Sequence, residues 1–430
     1  MNIINYPKPE DYTEILQRPS KSIEEIKPAI MEIINEVREN GDQAIRDFNL
    51  KFDSIETYQI AVSDAEFAEA EAELSMDLKN AIDLAVANIS KFHTSQQLQM
   101  DVVETSPGVK CWQKELPIEK VGLYIPGGTA PLFSTVLMLS IPAKIAGCEE
   151  IVLCTPPNKQ DKIHPAILYA AKKAGTTKVY KVGGAQAVAA MAYGTESIPQ
   201  VYKIFGPGNQ WVTAAKQLVS NEIAIDMPAG PSEVCVVADA SADPEFIAAD
   251  LLSQAEHGID SQAILITDDK DLIVKVDKAV HSQLTVLPRK ETATESLKYS
   301  KLILVENMDV AIDLANIYAS EHLIINTENA DEMAEKVVNA GSVFIGKYSP
   351  ESAGDYASGT NHVLPTYGFA RNFSGVSLNS FMKKITYQKL SAEGIKNIGN
   401  AIELMAEAEE LFAHKNAVTV RLNSLENGNG

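Results

Sequence analysis

Short apolar runs alternate with helical patterns from residue 121 to residue 345, and this alternation constrains the fold more than any other feature of the chain. Short strands separated by helices form βαβ units, in which parallel strands make a sheet that the helices cover. Nine such runs are present, and two α/β sheets accommodate them better than one very wide sheet. The runs are Val121–Ile125, Ile151–Cys154, Lys178–Lys181, Tyr202–Phe205, Glu233–Val237, Ala263–Thr267, Lys301–Val305, His322–Asn326 and Ser342–Ile345.

The segments on either side of this region have other patterns. Residues 1–20 show no periodicity, whereas Ser22–Asn40 and Ser63–Gln96 carry apolar residues at three- and four-residue spacing. These two segments are predicted to be surface helices, and Gly41 is expected to end the first of them. From about Ser391 to His414 the pattern is again helical, and a short apolar run and a polar tail follow.

Composition and charge exclude several classes of protein. A chain of 430 residues has room for two or three domains. Its net charge of −21 argues against nucleic-acid binding, because a phosphate backbone would be repelled. The first residues lack the regions of a secretory signal, and prolines and polar residues interrupt the longest apolar stretch, Ala130–Ala146. We therefore expect a cytoplasmic protein that contacts neither nucleic acid nor membrane.

Three glycine-rich turns follow strands of the first α/β region, at Pro126–Pro131, Gly183–Gln186 and Gly206–Asn209. Glycine lets an anionic group approach the backbone, and a helix N-terminus offers free N–H groups to it. The third turn matches only two of the three glycines of the Rossmann fingerprint, because Trp211 occupies the last position. Asp226 lies where a ribose-binding acid would be expected, but we interpret that spacing as a coincidence. Each turn could simply be a tight connection, yet three together predict a nucleotide or another anionic ligand.

The second α/β region holds most of the titratable candidates. Gln254 and His257 lie one helical turn apart near a helix end, where an oxygen and a nitrogen ligand would form half of a divalent metal site. For an isolated pair, a polar helix end is the more common explanation. Glu321 and His322 join a helix to a strand and offer two groups for proton transfer. An exposed Glu-His pair is, however, commonly just surface.

The segment 349–367 is long, poor in apolar residues and rich in Gly, Ser, Asp and His. Loops of this kind in compact domains are usually functional or disordered, and its strand-like flanks argue against disorder. Asp355 and His362 give it metal ligands or bases. His414 lies in a C-terminal segment where a lone histidine would normally face solvent.

A catalytic thiol is the alternative that the residues leave open. The four cysteines form no Cys-x-x-Cys pair and lie among apolar residues, as reduced buried thiols do. Cys154 ends a strand and could face a cleft. Cys148 precedes two glutamates that would raise its pKa, and neither thiol has an evident histidine partner.

Eight segments, taken together, form a highly specific set: Val121–Gly128, Gly183–Gln186, Phe205–Asn209, Asp226–Glu233, Ser253–Gly258, Glu321–Leu323, Glu351–His362 and His414–Val418. This set resembles the histidinol dehydrogenases, the family that performs the last two steps of histidine biosynthesis. The resemblance covers nearly the whole chain, and no motif departs from the family pattern.

The resemblance implies a cofactor and ligand set. One Zn²⁺ per subunit would be bound by Gln254, His257, Asp355 and His414. The same four residues, with Ser232, His322 and Glu409, would contact the substrate, and Tyr124, Gln186 and Asn209 would contact NAD⁺. The set of nitrogen and oxygen ligands suits zinc.

The resemblance also implies a reaction, the four-electron oxidation of L-histidinol through L-histidinaldehyde to L-histidine with two NAD⁺ in succession. His322 is the expected general base for both hydride transfers, and Glu321 is the expected base that activates water for the aldehyde step. The metal would chiefly position the substrate.

The fold implied by the family is α/β, with two incomplete Rossmann-like α/β domains, small N- and C-terminal segments and an architecture like that of aldehyde dehydrogenases. The expected division is an N-terminal arm (1–15), a discontinuous first domain (16–123 with 239–376), a second domain with the NAD⁺ turns (124–238) and a helical C-terminal segment (377–430). The family forms a homodimer in which the C-terminal segment is exchanged, so Glu409 and His414 would act in the partner's site.

Two rival functions remain at this point. One is a thiol-dependent, NAD-linked aldehyde dehydrogenase with Cys154 as the nucleophile. The other is a metal-dependent binding protein without catalysis.

Overall fold

The computed structural model describes residues 1–19, 25–98, 101–127, 130–227 and 230–428. The strands are β1 (Asn2–Asn5), β2 (Val103–Ser106), β3 (Val109–Pro117), β4 (Lys120–Tyr124), β5 (Glu150–Thr155), β6 (Lys178–Lys181), β7 (Lys203–Phe205), β8 (Ala224–Ile225), β9 (Glu233–Ala238), β10 (Gln262–Thr267), β11 (Lys301–Leu304), β12 (His322–Asn326), β13 (Ser342–Ile345) and β14 (Met382–Leu390).

The helices are α1 (Tyr12–Ile15), α2 (Lys27–Phe48), α3 (Asp64–Glu73), α4 (Met76–Thr94), α5 (Phe133–Ala146), α6 (Pro165–Ala174), α7 (Gly184–Tyr193), α8 (Gln210–Val219), α9 (Pro244–Ala255), α10 (Lys270–Leu284), α11 (Lys290–Ser296), α12 (Met308–Tyr318), α13 (Ala330–Ala334), α14 (Glu351–Tyr356), α15 (Ala392–Ala408) and α16 (Phe412–Glu426). Short 3₁₀ turns lie at Pro9–Asp11, Phe369–Arg371 and Leu378–Phe381, and a π-helical turn lies at Asn49–Asp53.

Two parallel sheets carry the fold, as the alternation of strands and helices predicts. One has five strands in the order β6-β5-β4-β7-β8, and the other has six in the order β1-β11-β10-β9-β12-β13. All neighbouring strands in both sheets run parallel. Each of the nine predicted strands is present within one residue of its expected bounds.

The strands are apolar on both faces because helices cover both sides of each sheet. In β9, Val234 and Val236 pack into the core formed with α9, α10 and α11, whereas Cys235 and Val237 pack on the side of α12. All six residues of β9 are buried. A run of consecutive apolar residues, rather than an alternating one, is the sequence pattern of such a strand.

The N-terminal helices pack on the five-stranded sheet. Ile30 and Ile45 of α2 lie in one core of that sheet with α7 and α8, and Ile82 and Ile89 of α4 lie in the core on its other face with α5 and α6. The expected division, which joins 16–123 to 239–376 and ends the NAD⁺ domain at 238, therefore differs from the structure. The expected boundaries also place β4 in a different domain from the other strands of the five-stranded sheet. They place β9, a strand of the six-stranded sheet, in 124–238. A helix pattern shows which face is apolar, but not which sheet it will cover.

Some predicted element bounds also change. The helix expected over Ser63–Gln96 is two helices, because Ser75 caps the start of α4 after an extended Leu74. Gly41 does not end α2 but kinks it, with a positive φ of 52°. The residues 1–20 are not all irregular, since β1 pairs with β11 as an edge strand.

The chain forms two compact units. Met1–Gln96 with Ile118–Phe381 makes the first, which contains both parallel sheets, and Gln97–Pro117 with Met382–Gly430 makes the second. In the second unit an antiparallel sheet has the order β14-β3-β2, and α15 and α16 pack on each other. The helix expected to end at His414 is replaced by these two helices, and the apolar run after it belongs to α16. Within the described ranges, no helix has the length and apolar character needed to cross a membrane.

Candidate active site

A cavity of about 870 Å³ lies at the carboxyl ends of β4 to β7 in the five-stranded sheet. Its lining includes Tyr124, Gly127, Gly183, Gln186 and Asn209, so all three predicted glycine turns border it. The N-termini of α7 and α8 lie at the same edge and present backbone N–H groups there. In the turn at 126–131, Gly127 lines the cavity, while Gly128 and Thr129 lie outside the described residues.

The glycines of this cavity are needed for close packing. A side chain at Gly183 would place its Cβ 2.7 Å from a carbon of Pro156, and one at Gly127 would come within 2.1 Å of the same ring. Gly184, the first residue of α7, has a φ of +63°, which residues other than glycine rarely adopt. The turn therefore keeps the backbone of Gly183 and Gly184 accessible beside the cavity.

The three residues expected to contact NAD⁺ all lie in this cavity. The hydroxyl oxygen of Tyr124 accepts a hydrogen bond from the N–H of Gly184 at 3.1 Å, and burial raises the pKa of Tyr124 to about 12, so its own O–H proton is retained. The side-chain oxygen of Asn209 caps α8 by accepting from the N–H groups of Trp211 and Val212. Its amide NH₂ group is the part that remains for a ligand. Gln186 is buried at the start of α7.

Asp226 is a structural residue, which agrees with our interpretation of its spacing. One carboxylate oxygen accepts from the N–H of Gly206 at 2.8 Å, and the other accepts from the N–H of Met227 at 2.8 Å. The carboxylate also pairs with the buried amine of Lys216. These bonds hold the third glycine turn, so Asp226 has an explanation that involves no ribose.

A buried cluster of polar residues lies at the amino ends of β9 and β12, in the six-stranded sheet. We use this name for Gln254, Glu321, His322, Glu351 and Asp355. His322 is the first residue of β12, and Glu321 precedes it; both are buried rather than surface residues. His322 Nδ1 lies 3.8 Å from Glu321 Oε2 and 3.8 Å from Glu351 Oε1, and its Nε2 lies 3.6 Å from Asp355 Oδ1.

Gln254 connects the helix α9 to the cluster. Its fully buried amide nitrogen, in the orientation that satisfies its neighbours, donates to Glu351 Oε1 at 3.0 Å and lies 3.1 Å from His322 Nδ1. The amide oxygen, which a metal would use, is then turned away from Glu351. His257 follows one turn later at the exposed end of the helix. One ligand atom from each of His257, Glu351 and Asp355 lies within 4.8 Å of the others, a spacing that allows a shared metal ion.

Burial and mutual charge shift the pKa values of the cluster. Burial raises the pKa of Glu321 to about 8 and raises that of Glu351 as well. Burial lowers the pKa of His322, but the charges of Glu351, Glu321 and Asp355 more than offset this and raise it to about 10. The pKa of Asp355 is lowered because the attraction of His322 outweighs the effect of burial. Such a set of opposed shifts is typical of proton-transfer sites.

Comparison with known proteins decides the family. The family model for histidinol dehydrogenase matches residues 16–422. The chain is 61% identical over 427 residues to the histidinol dehydrogenase of Bacteroides thetaiotaomicron, covering 99% of this chain and 100% of that protein. It is 52% identical over 421 residues to that of Escherichia coli K12, covering 97% and 96%. The chain belongs to the histidinol dehydrogenase family.

A solved structure agrees with this assignment. The crystal structure of histidinol dehydrogenase from Elizabethkingia anophelis superposes with a TM-score of 0.97 at 52% identity, covering 99% of both chains. The chain is therefore an oxidoreductase, as the resemblance of its motifs predicts.

Family membership makes the thiol alternative unnecessary, and the structure contradicts it. Cys154 is fully buried in β5, and burial raises the pKa of its thiol far above neutral. Burial likewise raises the pKa of Cys148 to about 12. A thiol nucleophile must reach substrate as the thiolate, and neither residue meets that condition.

The remaining residues that the family implies are distributed over both units. Ser232 immediately precedes β9, beside the cluster, whereas Glu409 and His414 belong to the second unit and are exposed there. Glu409 follows α15, and His414 lies in the first turn of α16. His362 Nδ1–H donates to the carbonyl oxygen of Asp355 at 2.9 Å, and its Nε2 is hydrogen-bonded to the hydroxyl of Thr135 in α5 at 3.0 Å, so His362 ties the loop after α14 to the five-stranded sheet.

Sequence reasoning missed two members of the site. Glu351 appeared only as the start of a motif, although its position four residues before Asp355 places both on one side of a helix. Glu233 is a charged residue at the start of an otherwise apolar strand, and it is only 2% exposed. A charge that begins a buried strand is the signal that could have identified it.

Proposed function

We propose that this chain oxidises L-histidinol through L-histidinaldehyde to L-histidine, with NAD⁺ as hydride acceptor and one zinc ion per subunit. The observation that carries the proposal is the presence, in one compact unit, of a glycine-lined cavity and a buried carboxylate–histidine cluster with metal donors. One region suits a nucleotide, and the other suits proton transfer beside a cation.

The cluster fits a zinc ion. His257 supplies an imidazole nitrogen, Asp355 a carboxylate and Gln254 an amide oxygen, which together with His414 would complete four nitrogen and oxygen ligands of the kind zinc takes. Glu351 holds the Gln254 amide by its nitrogen, as an outer partner does for a ligating group. When bound, the ion holds the nitrogen end of the substrate, and its positive charge offsets the carboxylates around His322.

The cavity fits NAD⁺. Its volume lies within the range of roughly 300–1,000 Å³ that is common for small-molecule and cofactor sites. The N–H groups at the starts of α7 and α8 suit the pyrophosphate, and Tyr124, Gln186 and Asn209 supply hydrogen-bonding groups. When bound, NAD⁺ accepts a hydride from the substrate in each of the two oxidations.

His322 is the proposed base for both oxidations. Its Nε2 is buried and has no hydrogen-bond partner within the described part of the chain, so this nitrogen is available to a substrate hydroxyl. As hydride leaves the carbon, the hydroxyl proton moves to His322 and the carbon–oxygen bond becomes a double bond. Nδ1–H donates to the carbonyl oxygen of Glu233 at 3.3 Å, which holds the ring in place and leaves the lone pair on Nε2 for the proton.

Glu321 is the proposed base for the hydration between the two oxidations. Its carboxylate takes a proton from water while the oxygen of that water adds to the aldehyde carbon, and His322 returns the proton from the first oxidation to the carbonyl oxygen, which gives a geminal diol and a neutral His322. His322 then accepts a proton from the diol as the second hydride leaves. Because Glu321 Oε2 is fixed by the N–H of Glu233 at 2.9 Å, its orientation is set before substrate arrives.

We also propose a homodimer in which Glu409 and His414 complete the partner's site. The support is that both are exposed on the second unit, while the first unit supplies three of the four expected ligands. Mixing His414→Asn protein with His257→Asn protein tests this, because a mixed dimer would contain one intact site. Recovery of turnover on mixing is expected, and no recovery would argue that each chain completes its own site.

The function itself is tested by incubating the protein with histidinol and NAD⁺ and recording NADH absorbance. We expect two NADH per histidinol, loss of activity with a chelator and recovery with Zn²⁺. Metal and histidinol binding without NADH would instead favour a binding protein without catalysis.

A further inference from the structure

Arg18 lies in the N-terminal segment, after α1, where the sequence pattern assigns no role. Its guanidinium group binds the carboxylate of Glu233 with two hydrogen bonds, from Nε to Oε1 at 2.5 Å and from Nη2 to Oε2 at 2.9 Å. Glu233 is almost completely buried at the start of β9. The chain thus brings an arginine from its first twenty residues to the same end of the six-stranded sheet as the buried cluster.

Arg18 also binds the end of the helix that leads into the cluster. Its Nη2 donates to the carbonyl oxygen of Tyr318 at 2.7 Å, and the guanidinium carbon lies 4.1 Å from the centre of the Tyr318 ring. Tyr318 is the last residue of α12, and Ala319 after it has a φ of +52°. A left-handed alanine is strained, so the contact with Arg18 supports a turn that the backbone alone would not favour.

Both contacts of Arg18 lead to Glu321. The N–H of Glu233 donates to Glu321 Oε2 at 2.9 Å, so the residue that Arg18 holds by its side chain fixes Glu321 by its backbone. The strained turn at Ala319 precedes Glu321 by two residues. Glu321 is therefore positioned both by the N–H of Glu233 and by the turn at Ala319. Arg18 contacts Glu233 itself and the Tyr318 carbonyl that precedes this turn.

The pair with Glu233 needs an arginine rather than any cation. A buried carboxylate requires a partner that satisfies both oxygens, and the planar guanidinium does so with two parallel bonds. The N–H of Tyr367 supplies a further bond to Glu233 Oε1 at 2.8 Å. A lysine amine at position 18 could not reach both oxygens and the Tyr318 carbonyl with the same geometry.

We propose that Arg18 is a positioning residue for Glu321, acting through the carboxylate of Glu233 and the end of α12. This inference rests on the proposed role of Glu321 as the base that activates water. It assigns to the N-terminal segment a part in the aldehyde step that is separate from zinc and NAD⁺ binding.

The test compares Arg18→Ala with wild type, using histidinol and histidinaldehyde as separate substrates. We expect kcat for the aldehyde to fall by about 10- to 100-fold, as for other residues that orient a functional group through an intermediate. The histidinol step should fall by a smaller factor, and zinc content should be unchanged. Guanidinium chloride at ~50 mM, far below denaturing concentrations, should restore most of the aldehyde rate, whereas the same concentration of sodium chloride should not.

Arg38→Ala is the matched control, because Arg38 is an exposed arginine of α2 whose guanidinium stacks on Tyr193. It should keep wild-type rates with both substrates and show no response to guanidinium. Arg18→Lys, which keeps the charge, is the milder variant and should lose aldehyde activity without rescue. Folded Arg18 variants that keep the wild-type ratio of the two rates would overturn the proposal, even if their melting temperature falls.

A readout without turnover separates this inference from the proposed function. Amide hydrogen exchange at Glu233, whose N–H is bonded to Glu321, should accelerate in Arg18→Ala and slow again with guanidinium. Inactive wild-type protein would refute the proposed function and leave this exchange result to decide whether Arg18 orders Glu321. Unchanged exchange at Glu233 would count against the positioning role in either case.

Discussion

The cavity lies at the carboxyl ends of a five-stranded parallel sheet, whereas the buried cluster lies at the amino ends of a six-stranded one. Helix N-termini meet strand carboxyl ends, so the cavity has free N–H groups and needs no charged side chain to receive an anion. Helix C-termini meet strand amino ends, and their carbonyl oxygens favour positive charge. The end of α9, which carries Gln254, therefore suits a cation.

The two regions also differ in what their sequences must supply. Around the cavity the essential feature is the absence of side chains, as at Gly183 and Gly184. In the cluster the essential feature is several buried charges, as at Glu321 and Glu351. We therefore propose that nucleotide binding depends mainly on backbone groups, and proton transfer on side chains. If this division is correct, changes in one region should leave the function of the other nearly intact.

The largest effect is expected for His322→Gln. Loss of the base should lower kcat by about 10²–10⁴-fold for both oxidations, the usual contribution of a positioned proton acceptor. The Kd for NAD⁺, measured by titration of the unreacted enzyme, should stay within the error of wild type. A large loss of NAD⁺ affinity would contradict the separation of the two regions, because it would show that NAD⁺ binding in the cavity depends on the cluster.

Glu321→Gln should have the next largest effect, and on one step only. We expect the aldehyde oxidation to slow by about 100-fold, since a neutral amide cannot take the proton from water. The histidinol oxidation, followed in a single turnover, should change by only a few-fold. Equal losses in the two half-reactions would remove Glu321 as the water-activating base.

The pH dependence of wild type follows from the same residue. Burial raises the pKa of Glu321 to about 8, and a base acts in its deprotonated form. The aldehyde rate should therefore rise with pH through this value, by about 10-fold between pH 7 and pH 9. The Glu321→Gln variant should lack this rise, and an identical profile in the variant would assign the titration to another group.

The strands of both parallel sheets could be predicted from the sequence, but only some residues of the candidate site could. Strands such as β9 are covered on both faces, so their composition alone identifies them. The packing of α2 and α4 was not predictable, since an apolar helix face fits either sheet. Gln254 lies in the last turn of α9 and His257 in the turn directly after it, so their spacing is informative. The pairing of Arg18 with Glu233 spans 215 residues, and no local pattern encodes it.

Gly184→Ala tests the cavity side with a smaller effect. Alanine at a φ of +63° costs about 1–2 kcal/mol, and its Cβ would lie 2.6 Å from the movable side-chain oxygen of Gln186. The KM for NAD⁺ should rise by about 5- to 10-fold as a result. Zinc content and the KM for histidinol should not change, and loss of zinc would contradict the separation of the two regions.

Cys154→Ala should have the smallest effect, with kcat within about 2-fold of wild type and a melting temperature a few degrees lower, as for loss of a buried group that fits its core. The thiol lies in β5, beneath the cavity, and is fully buried. Under a thiol mechanism the cavity would hold both the cofactor and the nucleophile, and this substitution would abolish turnover in folded protein. Retained activity would instead indicate that the strands of the five-stranded sheet only support the cavity and supply no side chain to the bond-making steps. The bond-making groups would then all lie at the amino ends of the other sheet, which is the sharpest form of the contrast between the two regions.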